Sequence, residues 1–140
     1  MEVNLLAYFN WNDSFLIHIE EIDNQHHGLV NLVNDLHDSM RRGEGHEVLN
    51  TILNKLIEYT LVHFEIEENY FKKFGYTNAE SHIQEHAAFI QKVNESKLRF
   101  ENGTLLVSFE LLNFLSEWLS THIKGTDKKY APFLIKHGLK

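Results

Sequence analysis

The sequence contains no cysteine, and this absence excludes several classes of protein site. Without a thiol, the chain cannot form a disulfide, a thiolate zinc site, a cysteine-ligated iron–sulfur cluster or a cysteine nucleophile. Basic residues are also scarce, because 13 Lys and Arg stand against 20 Asp and Glu and give a formal net charge of −7. Nucleic acids are bound through clustered Lys and Arg. We therefore expect no nucleic-acid partner.

The sequence also lacks long apolar runs. No stretch reaches the roughly 18 consecutive apolar residues of a membrane span, and the first residues do not have the basic and apolar segments of a secretory signal. We therefore expect a cytoplasmic protein with no membrane partner. At 140 residues with 43% hydrophobic content, the chain is expected to form a single domain over residues 1–140.

Proline and glycine are sparse, with one and seven residues respectively, so few breaks interrupt the periodic segments. Apolar residues recur with helical spacing over four stretches. This pattern predicts helices at about residues 23–42, 47–74, 77–100 and 104–124. Short loops make neighbouring helices antiparallel, so the predicted fold is all-α, an up-down-up-down four-helix bundle over residues 23–124. Residues 1–22 are expected to form an irregular arm across the helices, and residues 125–140 a tail with a short C-terminal helix.

Two local signals mark the ends of predicted helices. Gly75 follows the second stretch and suits the left-handed conformation that ends a helix. The sequence "TNAE" at 77–80 predicts a capping box, in which Thr77 and Glu80 bind the first free amides of the third helix.

Histidine is in excess, with ten residues in the chain. Residues four apart project from the same face of a helix, and two pairs of potential metal ligands have this spacing on the second and third predicted helices. Together with one histidine each on the first and fourth helices, six potential metal ligands lie on or beside apolar helix faces: His26, His63, Glu67, His82, His86 and His122. Burying unpaired imidazoles and a carboxylate is costly, and a metal ion removes that cost by coordination. The pattern therefore predicts a metal site inside the bundle.

Each of these residues alone has an ordinary structural explanation. His26 and His122 are each typical of a core histidine that hydrogen-bonds to its surroundings, and Glu67 of a surface residue beside the stripe. The metal-site prediction depends on their convergence from four helices. The remaining histidines are expected in solvent, without a role: His18, His27, His37, His46 and His137.

Four motifs in this order resemble the hemerythrin family, in its bacterial single-domain form. The motifs are "IDNQHHGL" at 22–29, "HFEIEE" at 63–68, "HIQEHAAF" at 82–89 and "WLSTHIKGTDKKY" at 118–130. The resemblance extends from Trp11 to Tyr130. It departs from the family at positions outside the implied ligands, among them His18, where glycine is common, Phe71, where methionine is common, and Thr77, where proline is usual.

The resemblance implies a non-haem centre of two iron ions with a bridging oxo or hydroxo group. The implied metal ligands are His82, His86 and His122 on one iron, His26 and His63 on the other, and Glu67 and Asp127 as bridges. This ligand set leaves an open position on the iron with fewer histidines. Iron is chosen over manganese or zinc by the resemblance alone, because imidazole and carboxylate bind all three.

The function that the resemblance implies is reversible binding of dioxygen for delivery, storage or sensing, and not catalysis. The alternative is a di-iron redox enzyme acting on peroxide, nitric oxide or ferrous iron. Oxygen sensing would require a separate protein partner, because this chain carries no transmitter domain.

The spacing of His122 and Asp127 raises a geometric question. Five residues turn a regular helix by about 140° beyond a full turn, so the two side chains would not share a face. Gly125 lies between them and permits a helix end, a wide turn or a π-type bulge. Asp127 would otherwise serve as the N-cap of the tail helix.

Overall fold

Four long helices form the bundle in the computed structural model, which describes residues 8–102 and 109–140. They are α1 (Glu20–Arg41), α2 (His46–Phe74), α3 (Ala79–Glu101) and α4 (Phe109–Thr121). A 3₁₀ helix (Asp13–Phe15) precedes α1, and a π-helical turn (His122–Asp127) joins α4 to α5 (Lys128–Lys136). The predicted all-α, up-down-up-down bundle is confirmed. Within the described ranges, no helix is both long and apolar enough to cross a membrane.

The predicted helix boundaries agree with the observed ones to within a few residues in the described part of the chain. The predicted residues 104–108 of the fourth helix, and residues 1–7 of the predicted arm, lie outside the described residues. Gly75 ends α2 as predicted. It adopts a left-handed conformation with φ of 72°, and its N–H donates to the carbonyl of Phe71 at 2.8 Å.

The predicted capping box at the start of α3 is wrong. Asn78, and not Thr77, occupies the N-cap position, and no side chain makes a capping hydrogen bond there. The helix therefore begins one residue too late for the Thr77 hydroxyl to reach the amide that a capping box requires. Backbone contacts close the first turn, with the Ala79 N–H donating to the Tyr76 carbonyl at 3.2 Å.

Two apolar clusters fill the interior, and they meet on α2. The larger lies among the four long helices and includes Phe64, and the smaller packs α5 against the start of α1 and includes Phe71. Glu67 lies between these two phenylalanines along the helix and His63 directly precedes Phe64, and all four side chains are buried. The bundle therefore encloses a layer of polar side chains between two apolar layers.

The described part of the N-terminal arm packs across α1, as predicted. The side-chain amide of Asn34 pairs with the backbone of Phe9, accepting from its N–H at 2.8 Å and donating to its carbonyl at 2.9 Å. The Trp11 ring stacks on exposed His27, with centroids 5.0 Å apart. Tyr8 stacks on His37 and helps to bury it, so the expectation that His37 is solvated is wrong.

His18 is the non-glycine residue with a left-handed backbone among the described residues, with φ of 68°. This conformation is costly for a residue with a Cβ atom. Asp23 holds the segment in place, because its carboxylate accepts from the N–H of Ile17 at 2.8 Å and from the N–H of His18 at 3.0 Å. The local strain at His18 explains why a glycine suits this position.

Candidate metal centre

Seven side chains from four parts of the bundle converge on one buried cluster. They are His26 on α1, His63 and Glu67 on α2, His82 and His86 on α3, and His122 and Asp127 at the two ends of the π-helical turn. Each is at most 3% exposed. The structure thus brings together every residue that sequence analysis assigned to the metal site, including the bridging position that local spacing left open.

The π-helical turn explains how Asp127 joins the cluster. A π-helix bonds residues five apart, so it sets the fifth residue over the first. Nε2 of His122 accordingly lies 3.0 Å from Oδ1 of Asp127. Of the three geometries that Gly125 left open, the structure adopts the π-type bulge. Asp127 does not act as a side-chain N-cap of α5, because no capping hydrogen bond forms there.

The cluster divides into two groups that share their carboxylates. The three-histidine group contains His82, His86 and His122, the two-histidine group contains His26 and His63, and both contain Glu67 and Asp127. In each group the ligand atoms lie within 4.8 Å of one another. Two groups of this kind that share two acidic residues have the form of a paired metal site.

Short contacts from nitrogen to oxygen hold the shared carboxylates at the centre. The two oxygens of Asp127 lie 2.9 Å from Nε2 of His26 and 3.0 Å from Nε2 of His82. Those of Glu67 lie 2.5 Å from Nε2 of His63 and 3.4 Å from Nε2 of His82. Each carboxylate therefore reaches both histidine groups.

None of these nitrogen–oxygen contacts has the geometry of a hydrogen bond, so many of the central atoms have no hydrogen-bond partner among the described residues. They are both oxygens of Glu67, both oxygens of Asp127, and Nε2 of His26 and of His82. Nε2 of His86 and Nε2 of His122 also face each other at 3.2 Å. Leaving two buried carboxylates and converging imidazole nitrogens without partners costs several kcal/mol or more, and cations at the centre remove that cost. The donor set therefore fits a metal site.

The electrostatic field keeps the carboxylates charged. Burial and the neighbouring charge of Asp127 both act to raise the pKa of Glu67, but the imidazoles of His63 and His82 outweigh them and lower it to about 2. Burial also opposes ionisation of Asp127, and the His122, His26 and His82 imidazoles nevertheless hold its pKa well below the usual value. Both side chains are therefore anionic at neutral pH, as metal ligands must be.

Two histidines of the cluster differ in their protonation. Burial lowers the pKa of His86 to about 3, and the neighbouring charges of His122 and His82 act in the same direction. Burial also acts to lower the pKa of His82, but the close contacts and negative charges of Asp127 and Glu67 raise it to about 9. In the metal-free protein His86 is thus neutral, while His82 carries a proton that a bound cation would displace.

Three of the imidazoles bind a polar side chain through their outer nitrogen, Nδ1. The pairs are His63 with Gln25 at 2.5 Å, His86 with Glu68 at 2.9 Å and His122 with Glu85 at 3.4 Å. An acceptor at Nδ1 fixes the tautomer in which Nδ1 carries the proton and the Nε2 lone pair points inward. Sequence reasoning missed these three partners. The signal available was their position, because each is adjacent in sequence to an inward-facing residue of the cluster.

Aromatic side chains cover the three-histidine group. The Phe64 ring stacks on His86 with centroids 3.7 Å apart and an interplanar angle of 6°. Trp118 stacks on His122 at 4.3 Å, and Phe89 packs on Trp118 at 4.2 Å. These rings exclude water from that side of the cluster.

Phe71 and Tyr130 close the opposite end of the cluster. The Phe71 ring lies 4.8 Å from the ring of His82 and 5.2 Å from the ring of Tyr130. Burial raises the pKa of Tyr130 well above its usual value, and the charges of Glu67 and Asp127 add to the effect. Tyr130 is therefore a neutral phenol at the edge of the cluster. Phe71, one of the departures noted in the sequence, thus makes an aromatic contact to His82.

Comparison with known proteins gives consistent matches over nearly the whole chain. The model of the hemerythrin HHE cation binding domain matches residues 17–134. The chain is 35% identical over 134 residues to a bacteriohemerythrin of Pseudomonas aeruginosa, covering 96% of this chain and 86% of that protein. It is 31% identical over 134 residues to a hemerythrin-like protein of Naegleria gruberi, covering 96% of this chain and 100% of that one.

The fold matches a solved structure equally well. A crystal structure of wild-type hemerythrin superposes with a TM-score of 0.85 at 29% sequence identity, covering 90% of this chain and 97% of that chain.

Proposed function

This chain belongs to the hemerythrin family, and on that premise we propose that its buried cluster holds two iron ions and binds dioxygen reversibly. The observation that carries the proposal is the division of the cluster into two ligand groups that share Glu67 and Asp127. Two metals bridged by two carboxylates account for both groups at once, and they supply partners for the carboxylate oxygens that have none.

The grouping supports a specific assignment of ligands. One iron would be held by His82, His86 and His122, and the other by His26 and His63, with Glu67 and Asp127 bridging them together with an oxo or hydroxo group. The second iron has fewer imidazoles and would keep an open position for a ligand. When bound, the iron pair supplies the electrons that dioxygen takes up on binding and returns on release.

The protein side chains supply the remaining requirements. The Nδ1 partners orient the imidazoles, and the imidazoles keep Glu67 and Asp127 anionic. Phe64, Trp118 and Leu119 lie in or against the apolar cluster beside the site and exclude water. An aromatic and aliphatic cover suits a small apolar gas and offers few hydrogen bonds to a larger substrate. This supports an oxygen-binding protein for delivery, storage or sensing over an enzyme.

The proposal is tested by visible absorption spectroscopy. The protein is loaded anaerobically with ferrous iron, its iron content is measured, and spectra are recorded before and after exposure to air and after deoxygenation. We expect two irons per chain and a visible band that develops in air and vanishes when oxygen is removed. Irreversible oxidation to a ferric protein without a reversible band would contradict oxygen carriage. It would favour a redox enzyme acting on peroxide, nitric oxide or ferrous iron.

A further inference from the structure

The imidazoles of the three-histidine group are backed by carboxylates. Nδ1 of His86 lies 2.9 Å from Oε2 of Glu68, and Nδ1 of His122 lies 3.4 Å from Oε1 of Glu85. The two acceptors reach the cluster from the surface, since the side chains of Glu68 and Glu85 are 33% and 43% exposed while both imidazoles are buried. The three-histidine group therefore has two negative charges directly behind it.

In the described part of the chain, no carboxylate lies behind the imidazoles of the two-histidine group. Nδ1 of His63 lies 2.5 Å from the amide oxygen of Gln25, which is neutral. Nδ1 of His26 is buried and has no hydrogen-bond partner among residues 8–102 and 109–140. The two halves of the cluster thus differ in the charge of their outer contacts as well as in their number of histidines.

The position of Glu85 is itself fixed by the fold. The hydroxyl of Thr126 donates to Oε1 of Glu85 at 3.0 Å, the same oxygen that faces His122. Thr126 belongs to the π-helical turn that carries His122 and Asp127. The turn that completes the cluster therefore also orients a carboxylate behind one of its imidazoles.

A carboxylate and an amide affect an imidazole ligand differently. A hydrogen bond from Nδ1–H to a carboxylate is stronger than one to an amide, and it makes the imidazole a better electron donor at Nε2. A better donor, with negative charge close by, stabilises a trivalent metal ion more than a divalent one. Loss of such outer partners typically changes metal affinity by roughly 10- to 100-fold.

From this asymmetry we infer that Glu68 and Glu85 are positioning residues that make the metal of the three-histidine group the more readily oxidised of the two. The inference rests on the proposed di-iron function. The iron of the three-histidine group would then be oxidised first. The iron of the two-histidine group, which has the open position, would be oxidised second.

The test is an anaerobic spectroelectrochemical titration of the iron-loaded protein. Each of two steps passes one electron from one ferrous ion to the electrode and leaves that ion ferric, while the Nδ1 proton stays between imidazole and carboxylate. The measured quantity is the separation between the two midpoint potentials. This readout does not depend on oxygen binding.

Four single variants test the inference: three change an Nδ1 partner and should narrow the separation between the midpoint potentials, and one is a control that should not. Glu68→Gln and Glu85→Gln should each raise the first midpoint and narrow the separation, by about 59 mV for a tenfold loss of preference for the ferric ion. Gln25→Glu should lower the second midpoint and also narrow the separation. Glu65→Gln, which removes the same charge from an exposed position on α2, should move both midpoints together and leave the separation unchanged.

Equal effects of Glu68→Gln and Glu65→Gln on the separation would overturn the inference. Should Glu68→Gln fail to retain iron, Glu85→Gln decides the question from a different helix. The parent protein could bind two irons while none of Glu68→Gln, Glu85→Gln and Gln25→Glu narrows the separation between the two midpoint potentials. That result would overturn the inference and leave the proposed function standing. Failure of the parent protein to bind two irons would overturn both.

Discussion

Oδ1 of Asp127 lies 3.0 Å from Nε2 of His122, although the two residues are five positions apart along the chain. A regular α-helix would turn these side chains away from each other, and the π-helical turn brings them onto one face. Asp127 also contacts His26 at 2.9 Å and His82 at 3.0 Å, so this single side chain connects α1, α3 and the turn.

Replacing Asp127 with asparagine should abolish stable binding of both metals. Asn keeps the shape of the side chain but removes a negative charge that both ligand groups share, and an amide bridges metal ions poorly. We expect the iron content to fall well below that of the parent protein after gel filtration. Asp35→Asn, at an exposed position on α1, is the control and should retain the parent iron content. Full iron retention by Asp127→Asn would contradict the bridging role.

The adjacent histidines of α1 provide a matched pair. His26 is fully buried in the two-histidine group, while His27 is exposed and stacks on Trp11. His26→Ala should lose the iron of that group, lower the iron content from two toward one per chain and eliminate the oxygen-dependent band. His27→Ala should keep both. The assignment fails if the two alanine variants bind iron equally.

The metal-free protein should be most stable near pH 6.5. The folded-state pKa of His82 is raised from 6.5 to about 9. The contribution of protonated His82 to the free energy of unfolding is therefore fully present below pH 6.5 and is lost as the pH rises toward 9. The pKa of His86 is lowered from 6.5 to about 3. Between pH 6.5 and pH 3 this imidazole is therefore protonated in the unfolded chain and neutral in the folded one, so the free energy of unfolding falls as the pH falls. The pKa of Glu67 is lowered from 4.5 to about 2, so protonation of this carboxylate adds to the loss of stability as the pH falls from 4.5 to 2. The slope of each limb is at most about 1.4 kcal/mol per pH unit for each group.

Thermal melting followed by circular dichroism in the presence of a chelator measures this profile. His82→Gln should make the alkaline limb shallower, because no proton is then bound at this site, and the raised pKa of His63 accounts for the part that remains. Iron loading should flatten the same limb, since the metal takes the place of the proton on His82. A melting temperature of the metal-free protein that continues to rise up to pH 9 would contradict the prediction.

Replacing His18 with glycine should stabilise the protein. The left-handed backbone at φ of 68° costs a residue with a side chain about 1–2 kcal/mol, and glycine removes that strain while adding about 0.5–1 kcal/mol of unfolded-state entropy. We expect a net gain of about 1 kcal/mol, seen as a melting temperature higher by about 3 °C.

The control for this substitution is a glycine placed in a regular helix. His27→Gly, at an exposed position of α1, should lower the free energy of unfolding by about 0.5 kcal/mol, because glycine has the lower helix propensity. If His18→Gly also lowers the melting temperature, the backbone at this position is not strained.

Helical periodicity was sufficient to predict the bundle and most of the cluster. Apolar residues at helical spacing defined which face of each helix turns inward, and His63, Glu67, His82 and His86 lie on such faces in pairs four residues apart. These assignments depend only on the geometry of a single helix, which a sequence expresses directly. His26 and His122 followed in the same way from the apolar stripes of their own helices.

The remaining features depended on contacts between elements distant in the chain. The inclusion of Asp127 required a π-helical turn, and spacing alone left three geometries open at Gly125. The Nδ1 partners Gln25, Glu68 and Glu85 could not be chosen from the many polar residues near the helix surfaces, because packing decides which of them reaches a buried ring. His37 is buried by an aromatic residue of the arm for the same reason. The sequence by itself determined which residues face the interior of the bundle. The tertiary structure decided which of their atoms meet, because the packing of neighbouring helices sets the partners of a side chain and the periodicity of its own helix does not.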